Sequence, residues 1–295
     1  MKITVFTPTY NRAYIIAELY KSLQAQTFTD FEWLVMDDGS DDNTQELFEA
    51  WSAENNCFPI RYYKVENGGK HRAINRGVDL ARGELFFIVD SDDYLTCNAL
   101  DSIAGWEGSL EDKSRFCGIA GNRGSHEEGY LGTTFNGDYI DATSLERHKC
   151  HITGDKAEVF YTEILKRYKF DEIYGEKFIT EATVWDRMAY DGFKIRWFNQ
   201  TIYICDYLED GLTHNMKRIF SENPIGTACY IRQQIKHYEY DLRGRLSNYN
   251  LYYDFVGGKT GLRRAAHYLE IHPLTLFTAV FSVRLRKLMF HRGSP

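Results

Sequence analysis

A doubly wound α/β fold on a mainly parallel sheet is predicted by three features of the first 95 residues. Short apolar runs alternate with amphipathic segments, each run stops at a polar turn cluster, and the fourth run is apolar throughout. ITVF (3–6) is the first strand, bounded by a turn at Pro8; Ile15, Ile16, Leu19, Tyr20 and Leu23 then recur at helical spacing. FEWLVM (31–36) is the second strand and stops at DDGSDDNT. The helix QELFEAWSA (45–53) follows, with Ser40 to Asn43 supplying N-cap side chains. IRYYKV (60–65) is the third strand, NGG a turn, and KHRAINRGVDLA (70–81) a third helix closed by Gly83. ELFFIV (84–89) is the fourth strand, apolar enough for burial on both faces, as parallel strands usually are.

The rest of the chain is less regular. Residues 96–200 mix sheet and helix pieces with glycine-rich loops such as GNRGSHEEGYLG (121–132). From 216 onward the pattern is helical, with Pro224 at a helix start and Gly257-Gly258 as a break. The expected division is therefore 1–215 and a helical C-terminal extension, 216–295.

Composition narrows the function. With 43% hydrophobic residues in 295, the chain can offset its conformational entropy by burial, which excludes wholesale disorder. Its 35 Lys and Arg against 42 Asp and Glu leave a net charge of -7, the wrong sign for a dedicated nucleic-acid binder. The six cysteines form no C-x-x-C pair and are read as reduced packing residues. The first apolar stretch is too short for a signal peptide, and no window reaches the roughly 18 apolar residues of a membrane span. A cytoplasmic location is expected.

In a doubly wound sheet the ligand crevice lies at the carboxyl ends of the strands. Four polar clusters fall there: TPTYN, DDGSDD, NGGK and DSDD. Asp90 and Asp92, two apart, would point to one side of an extended strand end, and Asp93 follows. Carboxylates so massed repel unless a cation or donors compensate, and hard oxygen ligands suit Mg2+ or Mn2+. A turn and helix-cap cluster is the plainer reading of the same residues. Asp37-Asp38 is ordinary turn chemistry or an acceptor for a base or ribose. Lys70 opens a helix behind two glycines and adds charge where anions are favoured. No P-loop and no G-x-G-x-x-G occurs, which disfavours a nicotinamide enzyme.

FTPTYNR, QTFTDFEWLVMDDGSDDNT, NGGKHRAINRG, ARGELFFIVDSDD and a later acidic segment, as an ordered set, resemble the inverting family 2 glycosyltransferases of the GT-A fold. The likeness is dense over the first 95 residues and patchy to about 215. It implies a Rossmann-like GT-A catalytic domain over 1–215, with 1–95 binding nucleotide and 96–215 binding acceptor. It implies a nucleotide-diphospho sugar donor, a uridine diphosphate sugar in kind. Thr7, Pro8 and Tyr10 would line the base, Asp38 would hold its polar edge, Lys70 would sit by base or phosphate, and Asp90 would face the ribose. Asp92 would ligate Mn2+ or Mg2+, with Asp90 and His214 as further ligand candidates.

The same resemblance implies a catalytic base about ninety residues beyond D-x-D, usually in a Glu-Asp pair at a helix start. YGEKFITEATVWDRMAYDGFKI occupies that place and reads Glu181-Ala182. Glu181 is the choice, with Asp186 and Glu176 as competitors. The implied activity is sugar transfer to a hydroxyl of a glycan or lipid-linked acceptor, in polysaccharide biosynthesis by family habit. Two other functions are consistent with the fold: a non-catalytic nucleotide-sugar or glycan-binding module, and a sugar-phosphate nucleotidyltransferase. The latter needs a glycine-rich basic loop after strand one, where TPTYN stands. The basic, apolar segment 272–292 is either a helix docked on the protein body or a peripheral contact with the inner face of a membrane.

Overall fold

The computed structural model describes residues 1–125, 129–205 and 215–291, with side chains to 285. The chain divides into two compact units, one of Met1–Phe170 with Arg187–Tyr207, the other of Asp171–Asp186 with Leu208–Pro295. Segment 171–186 thus groups with the helices, whereas the expected division at 215 keeps it with the sheet.

In the first unit, nine strands among the described residues form one sheet: β1 (Ile3–Thr9), β2 (Phe31–Asp37), β3 (Ile60–Lys64), β4 (Leu85–Ile88), β5 (Tyr94–Leu95), β6 (Phe116–Gly124), β7 (Tyr139–Ala142), β8 (Lys156–Tyr161) and β9 (Lys194–Ile204). Their order is β3-β2-β1-β4-β8-β6-β9-β5, with β7 paired to β9. The first four strands are parallel, with Thr7 opposite Val35 and Phe6 opposite Ile88. β8 runs antiparallel between β4 and β6, and β6 returns to parallel against β9. The doubly wound, mainly parallel reading is thus correct for the first half, and the irregular middle supplies the mixed half.

The helices of this unit are α1 (Ala17–Gln24), α2 (Thr44–Ser52), α3 (Lys70–Leu80), α4 (Ala99–Gly108) and the single turn α5 (Thr162–Leu165); α6 (Ala182–Tyr190) contributes residues to both units. Every residue of β1 and β2 is buried, as central parallel strands require. Trp33 of β2 is fully enclosed by Tyr20 of α1 and by Phe48 and Trp51 of α2, with ring centroids 5.9, 5.0 and 6.0 Å away. At the N-terminal edge of the strands, Glu32 is wholly buried and accepts from Thr4 Oγ1, the Arg82 amide and Arg61. Such compensation is what keeps a carboxylate tolerable in a core.

α3 approaches β1 through Gly77: a Cβ there would lie 2.1 Å from the Phe6 ring. That close seat fixes the height of α3 on the sheet, and therefore of Lys70 two turns earlier.

The second unit contains α7 (Met216–Glu222), α8 (Pro224–His237), α9 (Leu242–Tyr268) and α10 (Pro273–His291). Pro224 opens α8 as expected, and Glu176 accepts the Ile225 and Gly226 amides there at 2.7 and 2.6 Å. The break expected at Gly257-Gly258 falls instead at Gly261 (φ 71°). Gly257 stays helical and buried, and a Cβ on it would meet the Tyr253 ring at 2.5 Å, so its role is close packing. Tyr252, Val256, Ala265, Ala266, Leu276 and Ile231 form the core of this unit. No helix among the described residues is long and apolar enough to cross a membrane.

Candidate active site at the strand ends

The loops after β1 and β2 are stitched to each other. Asn11, in a left-handed conformation (φ 53°), donates its amide to Ser40 Oγ at 2.8 Å and accepts the Asp41 amide on its side chain at 2.8 Å. The Asp38 amide donates to Thr9 O, and the Ala13 amide to Asp42 at 3.0 Å. Asp37 is fully buried and takes the Ser40 amide and a short hydrogen bond from Tyr62, whose hydroxyl is pushed well above its ordinary pKa by burial and then by Asp37.

Asp38 reaches across to the third cluster. Its carboxylate accepts the amides of Gly68 and Gly69, both at 2.8 Å, and Asn67 Nδ2 at 3.1 Å. Gly69 is the N-cap of α3 with φ 98° and ψ 154°, a backbone that L side chains avoid. A charged acceptor therefore fixes the turn that launches α3.

The fourth cluster is a turn. β4 ends at Ile88 and the Asp93 amide donates to Asp90 O at 3.2 Å, so the extended end expected to aim Asp90 and Asp92 together is absent. Lys70 Nζ lies 2.7 Å from Asp90 Oδ1. Arg123, at the end of β6, lies 3.8 Å from Asp90 Oδ2 and 3.9 Å from Asp93 Oδ2. Its guanidinium is 4.2 Å from the ring centroid of Tyr203 on β9, and its Nε donates to Lys156 O. The fully buried Tyr203 hydroxyl accepts the Asp90 amide at 3.0 Å and donates to Asp93 Oδ2 at 2.6 Å.

These placements differentiate the three carboxylates. Burial alone would raise the pKa of Asp90, but Lys70 and Arg123 outweigh it and hold the group below its ordinary value. Asp92 is raised by burial and by the charge on Asp90. Asp93 is pushed up to about 8, by burial first and Asp90 second. The turn thus has one firmly ionised member and two whose ionisation is disfavoured.

Not every expected residue reaches the strand ends. Thr7 is fully buried and its hydroxyl accepts Trp33 Nε1 at 3.0 Å, which makes it a core group rather than a base-lining one. Pro8 is also buried, whereas Tyr10 is 47% exposed. Lys70, Asp38 and Asp90 do converge, although Asp38 is engaged with backbone. His214 lies outside the described residues. Glu181, Glu176 and Asp186 belong to the second unit. There Glu176 caps α8, and the buried Asp186 accepts Gln234 Nε2 at 2.7 Å. Glu181 is half-buried at the start of α6, its carbonyl accepting the Val184 and Trp185 amides. Arg123 and Tyr203 carry little signal in the sequence: Arg123 has a weak one as a cation closing the run FCGIAGN, and Tyr203 has none.

Among the described residues no group of three or more His, Cys, Asp or Glu is placed to hold a metal ion. A cation held by one carboxylate, with phosphate and water completing its shell, is still compatible with the Asp90–Asp93 turn.

Residues 4–107 match the family model described as Glycosyl transferase family 2. Over those residues the chain is similar to that family. One curated relative, a GalNAc(5)-diNAcBac-PP-undecaprenol beta-1,3-glucosyltransferase of Campylobacter jejuni, is 29% identical over 191 residues, which are 62% of this chain and 58% of the relative. The chain therefore spans less than two thirds of that protein's length. The crystal structure of S. aureus TarS 1-349 in complex with UDP-GlcNAc superposes with a TM-score of 0.62 at 19% identity, covering 97% of this chain and 92% of that one. A mannosyltransferase from Pyrobaculum calidifontis, PcManGT, in complex with GDP-Man and Mn2+, gives 0.57 at 17% identity, covering 96% and 80%. The fold is GT-A, a mixed, mostly parallel central sheet with flanking helices and a helical C-terminal part. The four polar clusters, all within the matched residues 4–107, are the loops at the strand ends.

Proposed function

We propose that the chain is an inverting glycosyltransferase that moves a sugar from a nucleotide-diphosphate donor, uridine diphosphate in kind, to a hydroxyl of a glycan or lipid-linked acceptor in polysaccharide biosynthesis. The observation that carries the proposal is the convergence of Lys70, Arg123 and the Asp90–Asp93 turn at the strand ends. The family-model match over residues 4–107 and the sugar-nucleotide complexes of the fold neighbours support it. Residues 1–95 would supply the nucleotide half and the remainder to 215 the acceptor half.

Departure of a nucleoside diphosphate develops negative charge that fixed cations stabilise without a proton donor. Lys70 and Arg123 are the cations held at this position by Asp90. Mn2+ or Mg2+ held by Asp92, with Asp90 beside it, would supply further charge neutralisation. Asp38, by fixing the start of α3, acts on the nucleotide through Lys70. Attack from the opposite face needs a carboxylate to take the acceptor proton, and Glu181 is the proposed base. Glu176, which caps α8, and Asp186, which accepts a buried hydrogen bond from Gln234, are the competitors for that role.

The test separates binding from chemistry. Asp92→Asn should weaken metal-dependent uridine diphosphate binding in calorimetry, and Glu181→Gln should keep that binding while removing transfer. Unchanged transfer by Glu181→Gln sinks the base assignment. Tight nucleotide binding with no turnover of any sugar nucleotide, acceptors included, would establish a binding module instead.

A further inference from the structure

The helical unit presents an apolar stripe. α10 buries Leu276 and Ala279 completely and Val280 nearly so, which accounts for one face. Leu274, Phe277, Phe281 and Leu285 follow one another at spacings of three, four and four, and so share another face. They are 67%, 54%, 58% and 44% exposed, and the Phe277 and Phe281 rings stack with centroids 6.0 Å apart. Single exposed apolar residues are ordinary, but four in register form a continuous strip about 16 Å long.

Charge identifies the occupant. From Ile271 to Pro295 the sequence has no Asp or Glu, and it contains Arg284, Arg286, Lys287 and Arg292. Arg284 is exposed beside the stripe, its nearest acid being Asp254 of α9 at 3.7 Å. Exposed Lys259, Arg263 and Arg264 add to the positive character of the same unit. Stripe-to-stripe pairing of two copies would bring these cations together with no acid on α10 to compensate. An anionic bilayer supplies apolar depth for the stripe and phosphate for the cations.

We propose that α10 lies in the headgroup region of an anionic lipid surface, with Leu274, Phe277, Phe281 and Leu285 inserted and Arg284 at the phosphates. It lies along the surface, since no described helix can span it. The inference rests on the helical unit and does not depend on the transfer reaction.

The experiment is co-sedimentation of the full chain with phosphatidylcholine vesicles, with and without added phosphatidylglycerol. The chain should sediment with the anionic vesicles and not with the neutral ones. The double variant Phe277→Ser, Phe281→Ser should lose at least about tenfold in partitioning, because two large apolar groups no longer leave water. Its thermal unfolding should match the parent, since both positions are exposed. Equal sedimentation of parent and variant, or no preference for anionic lipid, overturns the proposal. So does a parent dimer in sedimentation velocity that the variant converts to monomer, which would make a second copy the occupant.

Discussion

Lys70 Nζ stands 2.7 Å from Asp90 Oδ1, an ion pair between the first residue of α3 and the loop after β4. Both side chains are about three-quarters buried, so removing one leaves the other short of compensation. Lys70→Met should raise the dissociation constant for uridine diphosphate by about tenfold or more, measured by calorimetry. An unchanged constant would remove Lys70 from the site.

Tyr203 is the second support of the same turn, through its bonds to the Asp90 amide and Asp93. Tyr203→Phe keeps the ring under Arg123 and deletes both hydrogen bonds. Thermal unfolding should show a loss of about 1 to 3 kcal/mol, the cost of stranding buried polar groups. A melting temperature equal to the parent's would mean that the turn holds itself.

Gly77 offers a purely steric test. A methyl group there would penetrate the Phe6 ring, so Gly77→Ala must displace α3. Destabilisation of about 1 to 3 kcal/mol is expected. Weaker nucleotide binding should accompany it, because Lys70 moves with the helix. Loss of stability with unaltered binding would separate the seat of α3 from the position of its first residue.

Lys156 gives a pH dependence away from the acidic turn. It is 2% exposed, donates to the carbonyls of Leu131 and Thr133, and its ammonium is lowered from 10.5 to about 8 by burial first and Arg147 second. Between about 8 and 10.5 the unfolded chain holds more protons than the folded one, so this group makes stability rise with pH there. Its penalty is fully present below 8. Lys156→Met should flatten that rise, by a difference on the order of 3 kcal/mol across the window. Parallel stability-pH curves for parent and variant would refute the shift.

The legible part of the fold is where one element determines its own burial. ITVF, FEWLVM and ELFFIV announce central strands by unbroken apolar character, and the turn clusters between them mark the strand ends. The illegible part depends on partners far along the chain. Arg123 and Tyr203 reach the site because β6 pairs β9 with register shifts, which no local pattern encodes. Asp90 and Asp92 fit strand periodicity, yet the Asp93 amide closes a turn onto Asp90 and cancels it. Thr7 has the polarity of a ligand group and the burial of a core one, a difference decided by Trp33.

The hold of Asp38 on Gly68 and Gly69 changes how a substitution scan of this domain would read. Neutralising that aspartate would free the amides that launch α3, and any fall in ligand affinity would be a displaced lysine reported at a distance. The acidic residues of these loops therefore divide by occupation: Asp38 shapes backbone, Asp90 restrains cations, and Asp92 is left as the proposed ligand of a metal ion.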